Sequence, residues 1–118
     1  MDGTFMGARL KTGLWVRAVM RRISSDGTSA MVLKKGDEDA GAVLIVLRDR
    51  DDNVALLREN GSDWIRADVE GAAGLEEYLE RQRRYDPDLW VIELEVRNVA
   101  TPLERTLGSR RADLDVMH

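Results

Sequence analysis

Residues 42–47 read AVLIVL, the most continuous apolar run in the chain. Six residues are too few for a buried helix, and three of them are β-branched. The run therefore predicts a strand covered on both faces, which places it at the centre of a sheet. Everything else must be arranged to cover that strand and pair with it.

Helical periodicity precedes it. In TGLWVRAVMRRISSDG, Trp15, Val19 and Ile23 recur every four residues, and Val16 and Met20 form a second row beside them. Thr12 is the expected N-cap, and Ser24-Ser25-Asp26-Gly27 supplies stop signals. Arg17, Arg21 and Arg22 fall to the outer face and the last turn, where the helix dipole favours cations. SAMVLK at 29–34 reads as a strand. RDRDDN at 48–53 is a polar turn, and VALL at 54–57 returns as the second arm of a hairpin. WIRADV at 64–69 is a candidate edge strand. GLEEYLERQRRY at 74–85 is a second helix with Leu75, Tyr78 and Leu79 as its stripe; Pro87 stops it, because a residue before proline avoids the helical region. LWVIELEV then alternates, with Trp90, Ile92, Leu94 and Val96 expected to face the core and Leu89, Val91, Glu93 and Glu95 to face away.

The resulting order is α-β-β-β-(β)-α-β. It predicts an α+β fold, an antiparallel sheet of four to five strands with two helices packed on one face. Residues 1–8 are expected to be a flexible N-terminus, 9–98 a single domain and 99–118 a mostly flexible tail with one helical turn. A chain of 118 residues suffices for one core without staples.

Composition removes several chemistries. There is no cysteine, so disulfides, thiolate metal sites and cysteine nucleophiles are absent, in keeping with a reducing, cytoplasmic setting. The one histidine, His118, ends the chain, which argues against histidine catalysis or histidine-bound zinc, and no serine has a histidine to activate it. No run approaches the about 20 apolar residues needed to span a bilayer, and MDGTFMGARLKTG lacks a signal-peptide core. The net charge of −4 is unevenly spread. Residues 1–36 hold seven basic against two acidic residues, and the rest hold eleven against twenty. The overall acidity disfavours nucleic acid as a partner.

The stretch KKGDEDAGAVLI at 34–45 is the most suggestive for a site. Counted from Asp37 as an EF-hand, position 5 is Gly41, position 6 is Ala42 and position 12 is Arg48, so the calcium pattern fails. A phosphate loop fails too, since no GKS or GKT is present and three acids repel an anion. The flanking glycines favour a structural connection between strands. The metal alternative joins Asp37 and Asp39 to Glu93 and Glu95 on one strand face, with Mg²⁺ or Mn²⁺ as cofactor in a hydrolase or nucleotide-handling enzyme. Alternating glutamates on the wet face of a strand are the ordinary explanation. A Nudix box beginning at Gly71 breaks at Tyr85-Asp86. The three tryptophans suit core anchors, with Trp64, beside the turn at 60–63, the one expected to be partly exposed.

Three of these stretches, TGLWVRAVMRR, KKGDEDAGAVLI and DPDLWVIELE, together resemble a family of short alphaproteobacterial proteins, a domain of unknown function of about this length. Its members carry a similar basic helix, a G-D-x-D-A-G loop and a D-P-D-L-W-V-I-E strand. The resemblance covers about residues 8–97, leaves the C-terminal tail outside, and implies no activity, cofactor or catalytic residue.

The reading that follows is a non-enzymatic module that binds a protein partner or forms a homodimer, without a cofactor and without a membrane. Its candidate surface combines Arg17, Arg21 and Arg22 with Asp37, Glu38 and Asp39, and adds Trp64.

Overall fold

The computed structural model describes residues 11–25, 27–61, 63–103 and 107. The elements are α1 (Thr12–Ser25), β1 (Ser29–Lys34), β2 (Val43–Arg48), β3 (Val54–Asn60), β4 (Asp63–Ala67), α2 (Gly71–Tyr85) and β5 (Trp90–Glu95). The α+β class and the element order are those expected, and the candidate edge strand at 64–69 exists as β4. The expected flexible residues 1–8 lie outside the described residues.

The five strands form one sheet in the order β1-β5-β2-β3-β4. β2, which contains most of the AVLIVL run, is the middle strand, and Val43 through Leu47 are all buried. It pairs antiparallel with β3, Ile45 opposite Leu57, and parallel with β5, Ile45 opposite Ile92. That parallel pair is a departure from an all-antiparallel sheet. Its cause is the route of the chain, which passes through β3, β4 and α2 before re-entering beside β2 in the same direction. A parallel neighbour needs such a long crossover. β1 closes one edge, antiparallel to β5, with an irregularity between Val32 and Lys34.

The helices do not share a face. Trp15, Val16, Val19 and Ile23 of α1 pack on Val43, Ile45, Leu47, Leu57, Trp90, Ile92 and Leu94. Leu75 and Leu79 of α2 pack on the alternate positions Leu44, Val46, Leu56 and Val91, with Leu89. A strand buried on both sides needs a cover on each, and one helix is assigned to each side. β5 is consequently buried on both faces over its first half, where Leu89 and Val91 were expected to face away.

The core also reaches beyond residue 98. Val99 and Leu103 lie against the α1-side cluster and Leu107 is 2% exposed within it. These apolar residues recur at four-residue spacing, and the Leu107 amide donates to the Leu103 carbonyl at 3.1 Å; the rest of the expected flexible tail, 104–106 and 108–118, lies outside the described residues. Arg66 holds this segment by donating to the carbonyls of Val99 (2.7 Å) and Thr101 (3.0 Å), and Arg22 donates to the Leu107 carbonyl at 3.2 Å. Among the described residues, no helix is long and apolar enough to cross a membrane.

Candidate functional site

The loop at 36–41 packs against the N-terminus of α1 and the entry to β5. Helix starts leave amide groups without intrahelical acceptors. Here the loop supplies carbonyls: Gly13 N donates to Glu38 O (2.8 Å) and Thr12 N to Asp39 O (3.3 Å). Thr12, expected as an N-cap, is the first helical residue, fully buried, and its hydroxyl donates to the Gly41 carbonyl at 2.8 Å. On the other side, Asp37 N donates to Asp88 O (3.0 Å) and the Trp90 indole N–H to Asp37 O (2.7 Å). Lys34 Nζ donates to the carbonyls of Pro87 (2.8 Å) and Leu89 (2.9 Å). The three sequence stretches thus meet at one joint.

The acids in the loop have specific roles there. Asp37 Oδ2 accepts from the amides of Asp39 (3.1 Å) and Ala40 (2.8 Å), folding the loop on itself. The Glu38 carboxylate accepts from Arg17 at 2.7 Å and lies 3.5 Å from Lys35 Nζ, while Lys11 reaches Asp39 at 3.7 Å. Two of these carboxylates also stand beside the positive end of α1. The opposite charges separated along the sequence are therefore neighbours in the fold and partly neutralise one another. The hydrogen bond from Arg17 holds the Glu38 carboxyl below its ordinary value, with Lys35 adding to the effect.

A depressed carboxyl stabilises the fold above its unfolded-state pKa and loses that contribution as pH falls through its folded-state value. Glu38→Gln is accordingly expected to lower the unfolding midpoint slightly at neutral pH. The gap from wild type should shrink toward zero below about pH 4, the ordinary carboxylate range. Thermal melts from pH 7 to pH 3 check it. A gap that widens in acid would contradict the assignment.

The remaining candidates are dispersed. Arg21 is exposed on α1. Glu93 is held by Arg48 at 3.1 Å, and Arg48 also reaches Asp52 at 3.6 Å. Glu95 is exposed at the far end of β5, at the cleft described below, whereas the 36–41 loop touches the start of that strand. Among the described residues, no three acids gather where they could hold a metal ion. Trp64 is not at the surface: it is 6% exposed and stacks on Trp15 with ring centroids 5.6 Å apart. Its exposure was misjudged because the adjoining turn is polar, whereas the side chain lies on the α1 side of β4.

A family model for a protein of unknown function, DUF1491, matches residues 10–104. The chain belongs to the DUF1491 family. Three solved structures are similar to it. The crystal structure of a DUF1491 family protein from Caulobacter crescentus is 39% identical with a TM-score of 0.68, covering 76% of this chain and 89% of that one. An NMR structure of a DUF1491 family protein from the same organism is 37% identical with the same TM-score, covering 79% and 91%. The solution structure of protein Atu0922 from A. tumefaciens is 32% identical, again with a TM-score of 0.68 and covering 79% and 91%. No curated protein matches. The family match continues past the resembling stretch into Val99 and Leu103, which pack on the core.

Two surface features of this DUF1491 chain could meet another molecule. A cleft of about 470 Å³ opens where β2 and β5 end, lined by Thr28, Ser29, Arg50, Glu95, Arg97 and Asn98 among others. Its lining includes two arginines and a glutamate, and the C-terminal end of α1 lies close in sequence at Ser25, so its charge is mixed. The second feature is β1. Met31, Val32 and Leu33 are exposed by 52%, 41% and 42%, three consecutive large apolar side chains on an edge strand. Sequence reading assigned SAMVLK to a strand but gave no sign of its edge position, which depends on the route taken by β5.

Proposed function

We propose that this DUF1491 domain is a non-catalytic protein-binding module whose binding surface is the β1 edge. The observation that carries this reading is the exposed run Met31-Val32-Leu33 on a strand that has one hydrogen-bonded neighbour, β5, among the described residues. An edge strand presents a row of free backbone N–H and C=O groups, and folded proteins usually guard such a row with charge, proline or a cover. β4, the other edge, carries Asp63 and Arg66. β1 has no proline, and its one charged residue, Lys34, is drawn back onto Pro87 and Leu89. The bulge at its end is the guard that remains. Strand addition by an extended partner is the recognition mode that suits such an edge.

The surface expected from the charge pattern, Arg17, Arg21 and Arg22 with Asp37, Glu38 and Asp39, supports this reading less well, since Arg17 and Glu38 already satisfy each other. A photo-cross-linking residue at position 32, compared with one at the exposed position 76 of α2, tests the proposal in the living cell. A discrete protein adduct from position 32 and none from position 76 is the expected result. Equal labelling from both positions, or none from either, overturns it.

A further inference from the structure

Resting on that reading, we infer that the partner at β1 is a second copy of this chain, paired antiparallel strand to strand across a two-fold axis. Such pairing would join two five-stranded sheets into one.

Antiparallel pairing keeps opposed side chains on the same face. With the axis perpendicular to the sheet, each face continues into its own kind. Val32 lies opposite Ile92, on the α1 side, and Ala30 on that side already packs against the core. A two-fold centred on Met31 sets Val32 of one copy beside Ala30 of the other, so the α1-side core runs on across the junction. It also sets Met31 beside its own copy on the opposite face, where Met31 pairs with Glu93. On that face Leu75 and Leu79 of α2 pack with Leu44, Val46, Leu56 and Val91, and among the described residues Met31 of β1 stays 52% exposed. An apolar edge exposed on both faces calls for a partner that is apolar on both faces, and β1 itself has that property.

Charge sets the direction. With the axis at Met31, Lys34 lies opposite the other copy's Thr28, beside the uncharged Ser29, so that each strand's lysine end is kept away from its own copy. Parallel pairing would stack lysine on lysine instead. The interface is small compared with the about 800 Å² that each partner of a standard complex contributes. The dimer is accordingly expected to be reversible, with monomer and dimer exchanging as the chain is diluted.

Sedimentation velocity of the full chain over a hundredfold concentration range tests the inference, with Val32→Lys beside Glu76→Gln, which changes the net charge by the same single unit, as a control on α2. Wild type and the control should move from monomer to dimer as concentration rises, and Val32→Lys should weaken the dimer at least tenfold while keeping the wild-type circular dichroism spectrum. If that variant fails to fold, Met31→Lys, at the most exposed of the three positions, replaces it with the same expectation. A wild type that stays monomeric throughout, or a dimer unchanged by these substitutions, overturns the second-copy inference. Removal of residues 1–10 adds one arm: a dimer that appears only after removal would make this chain's own N-terminal segment the occupant and also overturn it. The cross-link at position 32 is independent: an adduct with another protein would keep the binding module and discard the dimer.

Discussion

Gly41→Ala is expected to cost about 3 kcal/mol, lowering the thermal midpoint by roughly 10 °C in a domain of this size. A Cβ at Gly41 would run into the Asp88 carbonyl oxygen and come within 2.9 Å of Trp90 Cδ1 and 3.1 Å of the Asp37 amide. Asp88 and Asp37 meet the methyl group with backbone, which cannot swing aside as a long side chain can. Relief requires the 36–41 loop to part from residues 86–90. That movement strains the Asp37 N to Asp88 O bond and the indole bond from Trp90 to Asp37 O. Each such bond contributes about 1 kcal/mol, and overpacking a tight site adds about 1–3 kcal/mol. Gly61→Ala is the comparison. Gly61 has φ +65° and open space around its α-carbon, so only backbone strain of about 1–2 kcal/mol is expected. A Gly41→Ala protein that melts with wild type would mean that the joint of the three stretches is slack.

Trp64→Ala is expected to cost about 3–5 kcal/mol, the usual range for emptying a large aromatic site in a core. Trp64 is 6% exposed, and its ring lies 20° from parallel with Trp15. The same loss should follow from Trp15→Ala. The double variant should lose less than the sum of the two, because the stacking between the rings, worth about 0.5–1.5 kcal/mol, is removed by either change. Urea unfolding of the four proteins gives the coupling directly. Had Trp64 been an interface residue, its removal would leave stability nearly unchanged, and that outcome would contradict the burial described here.

The apolar run at 42–47 announced the strand found at Val43–Arg48 plainly, because a short β-branched run without alternation has few other homes. The helices were equally legible from Trp15, Val19 and Ile23 and from Leu75 and Leu79. Their placement on opposite faces was not. The alternation in LWVIELEV pointed to one wet face, yet Leu89 and Val91 are apolar at the positions that α2 reaches, and only Glu93 and Glu95 honour the pattern. The parallel pairing of β2 with β5 depends on where the chain returns after three intervening elements, and no local pattern records that.

The GDEDAG loop was correctly legible as a connection between strands. Its attachment to α1 was hidden, because the bonds from Thr12 and Gly13 go to backbone carbonyls that any sequence possesses. The apolar edge was visible as residues and invisible as an edge: MVL in β1 reads like core until the strand order places it last.

The proposed function and the proposed dimer both place the contact with another molecule at β1. Backbone amide hydrogen exchange, read residue by residue at two protein concentrations a hundredfold apart, addresses it most directly. Alternate amides of residues 29–33 point away from β5 and should exchange fast when dilute and slowly when concentrated, while those of β4 should not change. Fast exchange along the outer side of β1 at both concentrations would contradict the pairing of two copies. Slow exchange there at both would contradict an open edge altogether.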